Sequence, residues 1–234
     1  MNRKRVVHVQ ALIAAAFVYL AAATCHADFI FSVVTDTAPL IGHPAGPFSL
    51  EFQLNDGSGT NDGNNTALLS DFDFHGGHPV GSATLIGGAS GDLGSNIVLA
   101  DNDFLNEFFQ EFTPGPLLTF TVDLSLNVDA GPQPDQFSFA ILDCTLIEIP
   151  TRGPADALVL VDITGTPVIR TFASDPSRPT GCGGEPVFLS APRIDEPRSL
   201  ALALAGLLAL AVAMRRPRAA AKTERLTRRA RCSI

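Results

Sequence analysis

Between positions 28 and 194 the chain cannot run far before a turn interrupts it. Gly, Pro, Asn and Asp recur roughly every ten residues and cut the region into short apolar-alternating runs. In Thr119-Phe120-Thr121-Val122-Asp123-Leu124-Ser125-Leu126 polar and apolar residues alternate with period two, as a half-buried strand requires. Phe137 and Phe139 do the same around Ser138. The pattern predicts strands at 29–35, 46–54, 66–74, 82–86, 96–101, 106–112, 117–128, 136–142, 157–163, 168–172 and 186–190. Many short strands without intervening helices imply an all-β fold, a single antiparallel β-sandwich of jelly-roll type. At about 165 residues the region is long enough for one real core and not clearly for two.

One run carries both periods. Phe104, Phe108 and Phe112 fall at helical spacing, while Phe108, Gln110 and Phe112 alternate as in a strand. The Thr113-Pro114-Gly115-Pro116 turn and the strand-rich surroundings favour the strand. The chain has 16 Phe, no Trp and one Tyr, Tyr19, which lies in the N-terminal apolar segment. Aromatics should therefore build the core, and the lack of Trp and Tyr counts against an ordinary aromatic-platform carbohydrate-binding module.

The two ends are different in kind. Arg3-Lys4-Arg5 precede an apolar run within 6–23, and Cys25-His26-Ala27 offers a cleavage site before Asp28, which reads as a signal peptide over 1–27. Lipidation at Cys25 and an uncleaved anchor are the alternatives at this end. Near the other end, 199–214 is free of charge and rich in Leu and Ala, and is followed by Arg215, Arg216 and Arg218. As a helix this run spans ~24 Å, short of the roughly 30 Å of bilayer hydrocarbon but extendable by its flanks. The arginines would hold that side in the cytoplasm. The expected layout is a signal peptide at 1–27, a sandwich ectodomain at 28–190, a linker at 191–198, a transmembrane helix at 199–214 and a basic cytoplasmic tail at 215–234.

Composition between these ends differs sharply from the whole-chain average. From Asp28 to Ile194 there are four cations (Arg152, Arg170, Arg178, Arg193) against 21 carboxylates, a net charge of −17, and no lysine. Such a surface repels phosphate backbones, which excludes nucleic acid as a natural partner, and it attracts divalent cations. If the flanking segments lie as described, Cys144 and Cys182 are the one cysteine pair outside the cytoplasm, and they are expected to form a disulfide; two buried free thiols are the alternative.

Asp195-Glu196-Pro197-Arg198, the apolar span and the arginine cluster, in that order, resemble the PEP-CTERM sorting signal. The matching residues are Glu196, Pro197, the span 199–214, Arg215, Arg216 and Arg218; Asp195 stands where the motif usually has its first proline, and a tail continues past Arg218. The strings at 48–67, 87–93, 113–131 and 134–143 are similar to those of a group of PEP-CTERM proteins with a β-rich outer domain. The resemblance implies a Gram-negative bacterium and an exosortase, an integral-membrane transpeptidase, as partner. It also implies delivery to the inner membrane, the cell surface or the exopolysaccharide matrix, in a structural or adhesive role without enzymatic activity. Retention as a single-span membrane protein is the alternative outcome.

Three places have residues suited to chemistry. Asn55-Asp56-Gly57-Ser58-Gly59-Thr60 is followed by Asn61-Asp62-Gly63-Asn64-Asn65-Thr66, a six-residue unit stated twice. Asn55, Asp56, Asn61, Asp62 and Asn64 supply the hard oxygens that Ca²⁺ takes, although the same residues are the vocabulary of tight turns. A calcium-dependent glycan-binding module is the second functional expectation from this loop. Asp71-Phe72-Asp73-Phe74-His75-Gly76-Gly77-His78 offers two imidazoles and two carboxylates, at a spacing that fits no zinc signature. Asp101, Asp103, Glu107, Glu111, Asp123, Asp129 and Asp135 supply carboxylates for a hydrolase pair, but among so many acids coincidental pairs are expected.

Overall fold

The computed structural model describes residues 29–58, 61–128, 131–164 and 166–195. The expected signal segment at 1–27, Glu196, Pro197, the span 199–214, Arg215, Arg216, Arg218 and the rest of the tail lie outside the described residues. Among the described residues no helix is long and apolar enough to cross a membrane. The fold is all-β and antiparallel; among the described residues the only helical pieces are two 3-10 turns, Ala38–Leu40 and Pro154–Asp156.

Among the described residues thirteen strands form two sheets. They are β1 (Phe29–Asp36), β2 (Phe48–Asn55), β3 (Thr66–Asp73), β4 (His78–Pro79), β5 (Thr84–Ile86), β6 (Gly88–Gly91), β7 (Ile97–Ala100), β8 (Leu105–Thr113), β9 (Leu117–Leu124), β10 (Asp135–Leu142), β11 (Val159–Ile163), β12 (Val168–Thr171) and β13 (Arg193–Asp195). One sheet has the order β13-β1-β9-β3-β7-β6, and the other β12-β11-β10-β2-β8-β4 with β5 also on β8.

Period-two patterning decides which face each strand buries. In β9, Leu118, Phe120, Val122 and Leu124 are buried, and the residues between them are only partly so. In β8 the buried set is Asn106, Phe108, Gln110 and Phe112, which settles the ambiguous run as a strand and leaves Phe104 outside it and 64% exposed. Phe52 sits at the centre of the sandwich. Its β2 position places it opposite Phe139 of β10 and Phe108 of β8, with ring centroids 5.3 and 6.1 Å away. Phe120, from the facing sheet, meets it edge-on at 5.3 Å, the arrangement that aromatic quadrupoles favour.

β3 does something a regular strand cannot. Ala67 and Leu69 are core residues, and so is Phe74, with Phe72 packed against them. Odd and even positions share a face because the register with β9 shifts between Ser70 and Asp73, where Asp71 adopts φ of 56°. This bulge turns both phenylalanines inward and leaves Asp71 and Asp73 exposed.

Several boundaries differ from the sequence reading. The stretch 186–190 is not a strand, although Val187 and Leu189 are buried; the Ser174 hydroxyl donates to the Val187 carbonyl and accepts from the Leu189 N–H. The residues expected to be linker instead include β13, which pairs with β1, Ser32 opposite Asp195. β9 stops at Leu124 rather than 128, and the short β4 and β6 carry no alternation that marks them. Cys144 and Cys182 are joined in a disulfide with Cα atoms 6.0 Å apart, across a separation of 38 positions.

Candidate functional site: an acidic loop cluster at one end of the sandwich

The twin Asn-Asp-Gly loop connects β2 to β3 and meets two other connections at one end of the molecule. Thr66 lies opposite Ala100, and Leu124 lies opposite both Ala67 and Phe29, so β7 and β9 finish level there and β1 and β3 begin there. Gln136 pairs with Asn55, which brings the start of β10 to the same place. The loop can dock on the 133–135 segment because residue 57 is glycine: a Cβ there would fall on the Pro134 carbonyl.

Asn65 organises the cluster. It is fully buried, and its backbone N–H donates to Asp101 Oδ2 at 2.9 Å. Its side-chain amide donates to Asp135 Oδ2 at 2.7 Å and to the Asn127 carbonyl at 2.9 Å. Its Oδ1 accepts from the Asn127 N–H and the Ser125 hydroxyl. One buried residue, through its backbone N–H and its side chain, therefore ties the ends of β7, β9 and β10 together. Asp135, almost wholly buried, also accepts from the Gly57 N–H at 2.9 Å, and buried Asp56 accepts from the Asn61 N–H at 2.6 Å.

The residues of the repeated unit do not gather as one set. Asn55 turns into a cleft, Asp56 is linked to the backbone of Asn61, and exposed Asp62 accepts from both the N–H and the side-chain amide of Asn64. The acids that join them, Asp101 and Asp135, come from distant parts of the chain. Asp101 has no exposed surface, and its Oδ1 is buried without a hydrogen-bond partner. Burial pushes its carboxyl up to about 6 against the opposing pull of the Asn65 N–H, and the charges of Asp135, Asp62 and Asp56 push the same way as burial.

Beside the cluster is a cleft of about 480 Å³ lined by Asn55, Asp56, Gly57, Phe104, Gln133, Pro134, Gln136 and Asp162. Asp162 is engaged by Gln136 Nε2 and Arg170, each at 2.7 Å. Elsewhere, His75 folds back on Asp73 and His78 lies 3.5 Å from the Thr113 hydroxyl, so the two imidazoles serve separate local contacts. Among the described residues no three His, Cys, Asp or Glu side chains stand close enough, as they are, to hold a metal between them.

Two further acids are outside the cluster. Glu51 lies on the outer face of the seven-stranded sheet between Ala140 and Phe109 and is 5% exposed. Burial raises its pKa to about 9, helped by a shared hydrogen bond with Glu107 and by the charges of Glu148 and Glu107. Asp143 is also buried, which would raise its pKa, but donors from Thr145 and Gly181 outweigh burial and hold it below the usual carboxylate range. Because its Oδ2 also accepts from the Cys182 N–H, Asp143 pins both ends of the disulfide loop.

Comparison with known proteins finds no matching family model, no matching curated protein and no matching solved structure.

Proposed function

We propose that this chain is an exported β-sandwich displayed at the cell surface or in the exopolysaccharide matrix of a Gram-negative bacterium, with a structural or adhesive role. The observation that carries the reading is the Cys144–Cys182 disulfide, gripped by Asp143, because such bonds persist in oxidising compartments outside the cytoplasm. The strand order β1-β9-β3-β7 against β2-β8-β4 supports the finer assignment of two interleaved Greek keys, the jelly roll. In this reading 1–27 is a cleaved signal and 199–214 a membrane helix. Glu196, Pro197 and the arginines Arg215, Arg216 and Arg218 form a PEP-CTERM-like signal for an exosortase-like transpeptidase. The display role assigns no catalytic residue. Protease shaving of intact cells should remove the 28–194 region, and intact-mass analysis should find chains ending near Pro197. Recovery of the full-length chain, Met1 and Ile234 included, from cytosol would overturn the proposal.

A second reading, calcium-dependent glycan binding, is favoured by the cleft. Exposed Phe104 gives a sugar an apolar face to lie on, and Asn55, Gln133 and Gln136 provide hydrogen-bonding amides around it. Retention of the full-length protein on immobilised exopolysaccharide should fall at least tenfold in Phe104→Ala, a change at an exposed side chain that leaves the core intact. Equal retention of the variant would remove this reading.

A further inference from the structure

We infer that the loop cluster is a Ca²⁺ site in which Asp101 is the one carboxylate that ligates directly, Asp135 and Asp62 add negative charge from farther out, and amide and backbone oxygens of the Asn64-Asn65 segment complete the shell. Three observations lead there. The first is the Asp101 Oδ1 atom, which is wholly buried and accepts no hydrogen bond. A carboxylate oxygen withdrawn from water without a donor is costly, and such a position persists when something else satisfies it.

The second is the sign of everything around that oxygen. The charges acting on Asp101 are those of Asp135, Asp62 and Asp56, all negative. The cations among the described residues are engaged elsewhere. Arg170 pairs with Asp162, Arg178 with Asp156 and Arg193 with Asp195, and Arg152 acts on Asp175. Among the described histidines, His75 turns to Asp73, His78 to Thr113, and His43 accepts from the Ala45 N–H. With no lysine between positions 28 and 194, no positively charged side chain among the described residues is left to face Asp101.

The third is the donor set. Asp and Asn side chains and loop carbonyls are hard oxygen donors, and no Cys or His joins them, which selects against zinc and other thiolate- or imidazole-seeking metals. Asn65 stands between Asp101 and Asp135, hydrogen-bonded to both, so the carboxylates cannot all converge directly. A mixed shell of few carboxylates with amide and backbone oxygens is the kind Ca²⁺ accepts, whereas Mg²⁺ demands a tighter octahedron. The ion would cross-link the β2–β3, β7–β8 and β9–β10 connections.

This site does not depend on the display reading, and it supplies the ion that the glycan reading requires. The test uses the full-length protein in detergent, stripped with chelator and returned to CaCl2 or MgCl2. Equilibrium dialysis with ⁴⁵Ca²⁺ should find one ion per chain. At a hundredfold excess over its dissociation constant, Ca²⁺ should raise the melting temperature by roughly 5–10 °C, and equimolar Mg²⁺ by less than half as much. Asp101→Asn should lose at least tenfold in affinity, and Asp62→Asn, at an exposed position, should weaken binding without loss of fold. Asp92→Asn, in the remote β6–β7 turn, should behave as wild type. Absence of bound ⁴⁵Ca²⁺ on the wild-type chain, or undiminished binding in both Asp62→Asn and Asp101→Asn, would overturn the site. Calcium binding without retention on exopolysaccharide would keep the ion site and remove the glycan reading alone.

Discussion

Glu51 is the residue at which the fold is most exposed to pH. Its partners in the neighbouring strands are Ala140 and Phe109, and neither can stabilise a negative charge, so burial favours the protonated form. The linkage follows from the direction of the shift. A carboxyl whose folded pKa is raised from 4.5 to about 9 favours the fold fully below the unfolded value, and that contribution is lost as pH climbs towards the folded one. At neutral pH the penalty is on the order of 3 kcal/mol. Glu51→Gln, which keeps the shape and cannot ionise, should therefore melt with the wild type at pH 4 and above it at pH 8. Thermal unfolding at the two pH values decides the matter, and equal melting temperatures at pH 8 would contradict the burial argument. Asp143 works in the opposite sense: its depressed pKa contributes stability that is present above the ordinary carboxyl value and is lost as pH falls through the lowered one.

Among the elements, the disulfide loop and the short strands set the limits of what patterning reveals. Closing 38 positions contributes ~4 kcal/mol in the chain-entropy model. Reduction, or Cys144→Ser with Cys182→Ser, should lower the melting temperature by roughly 10 °C. A shift of only a degree or two would mean that Asp143 and its donors hold the loop without the bond. The long strands were legible because alternation is written in their residues: Phe108, Gln110 and Phe112 in β8, and Leu118 to Leu124 in β9. The parity switch in β3 was not, since a bulge at Asp71 depends on its pairing with β9 and has no sequence pattern of its own. β13 was missed because three residues are too few for a period, and they pair only because β1 offers an open edge. The same limit applies to the site. The Asn-Asp-Gly repeat marks one loop of the cluster, but Asp101 and Asp135 reach Asn65 through register, over 36 and 70 positions, and register is a property of the sheet.

For the whole molecule, charge and connectivity pull in one direction. A region with a net charge of −17 repels other copies of itself, while the phenylalanine interior keeps the two sheets together from within. The described chain enters at Phe29 on β1 and leaves at Asp195 on the neighbouring β13, opposite Ser32, so both exits are at the same corner of one sheet. A tug between these two ends would not shear the sandwich along its strands. It would peel β13 off like the tab of a zip, three residue pairs in turn, before any other strand of the sandwich is loaded. A pull applied across these two ends would thus be taken up first by a short fray at β13.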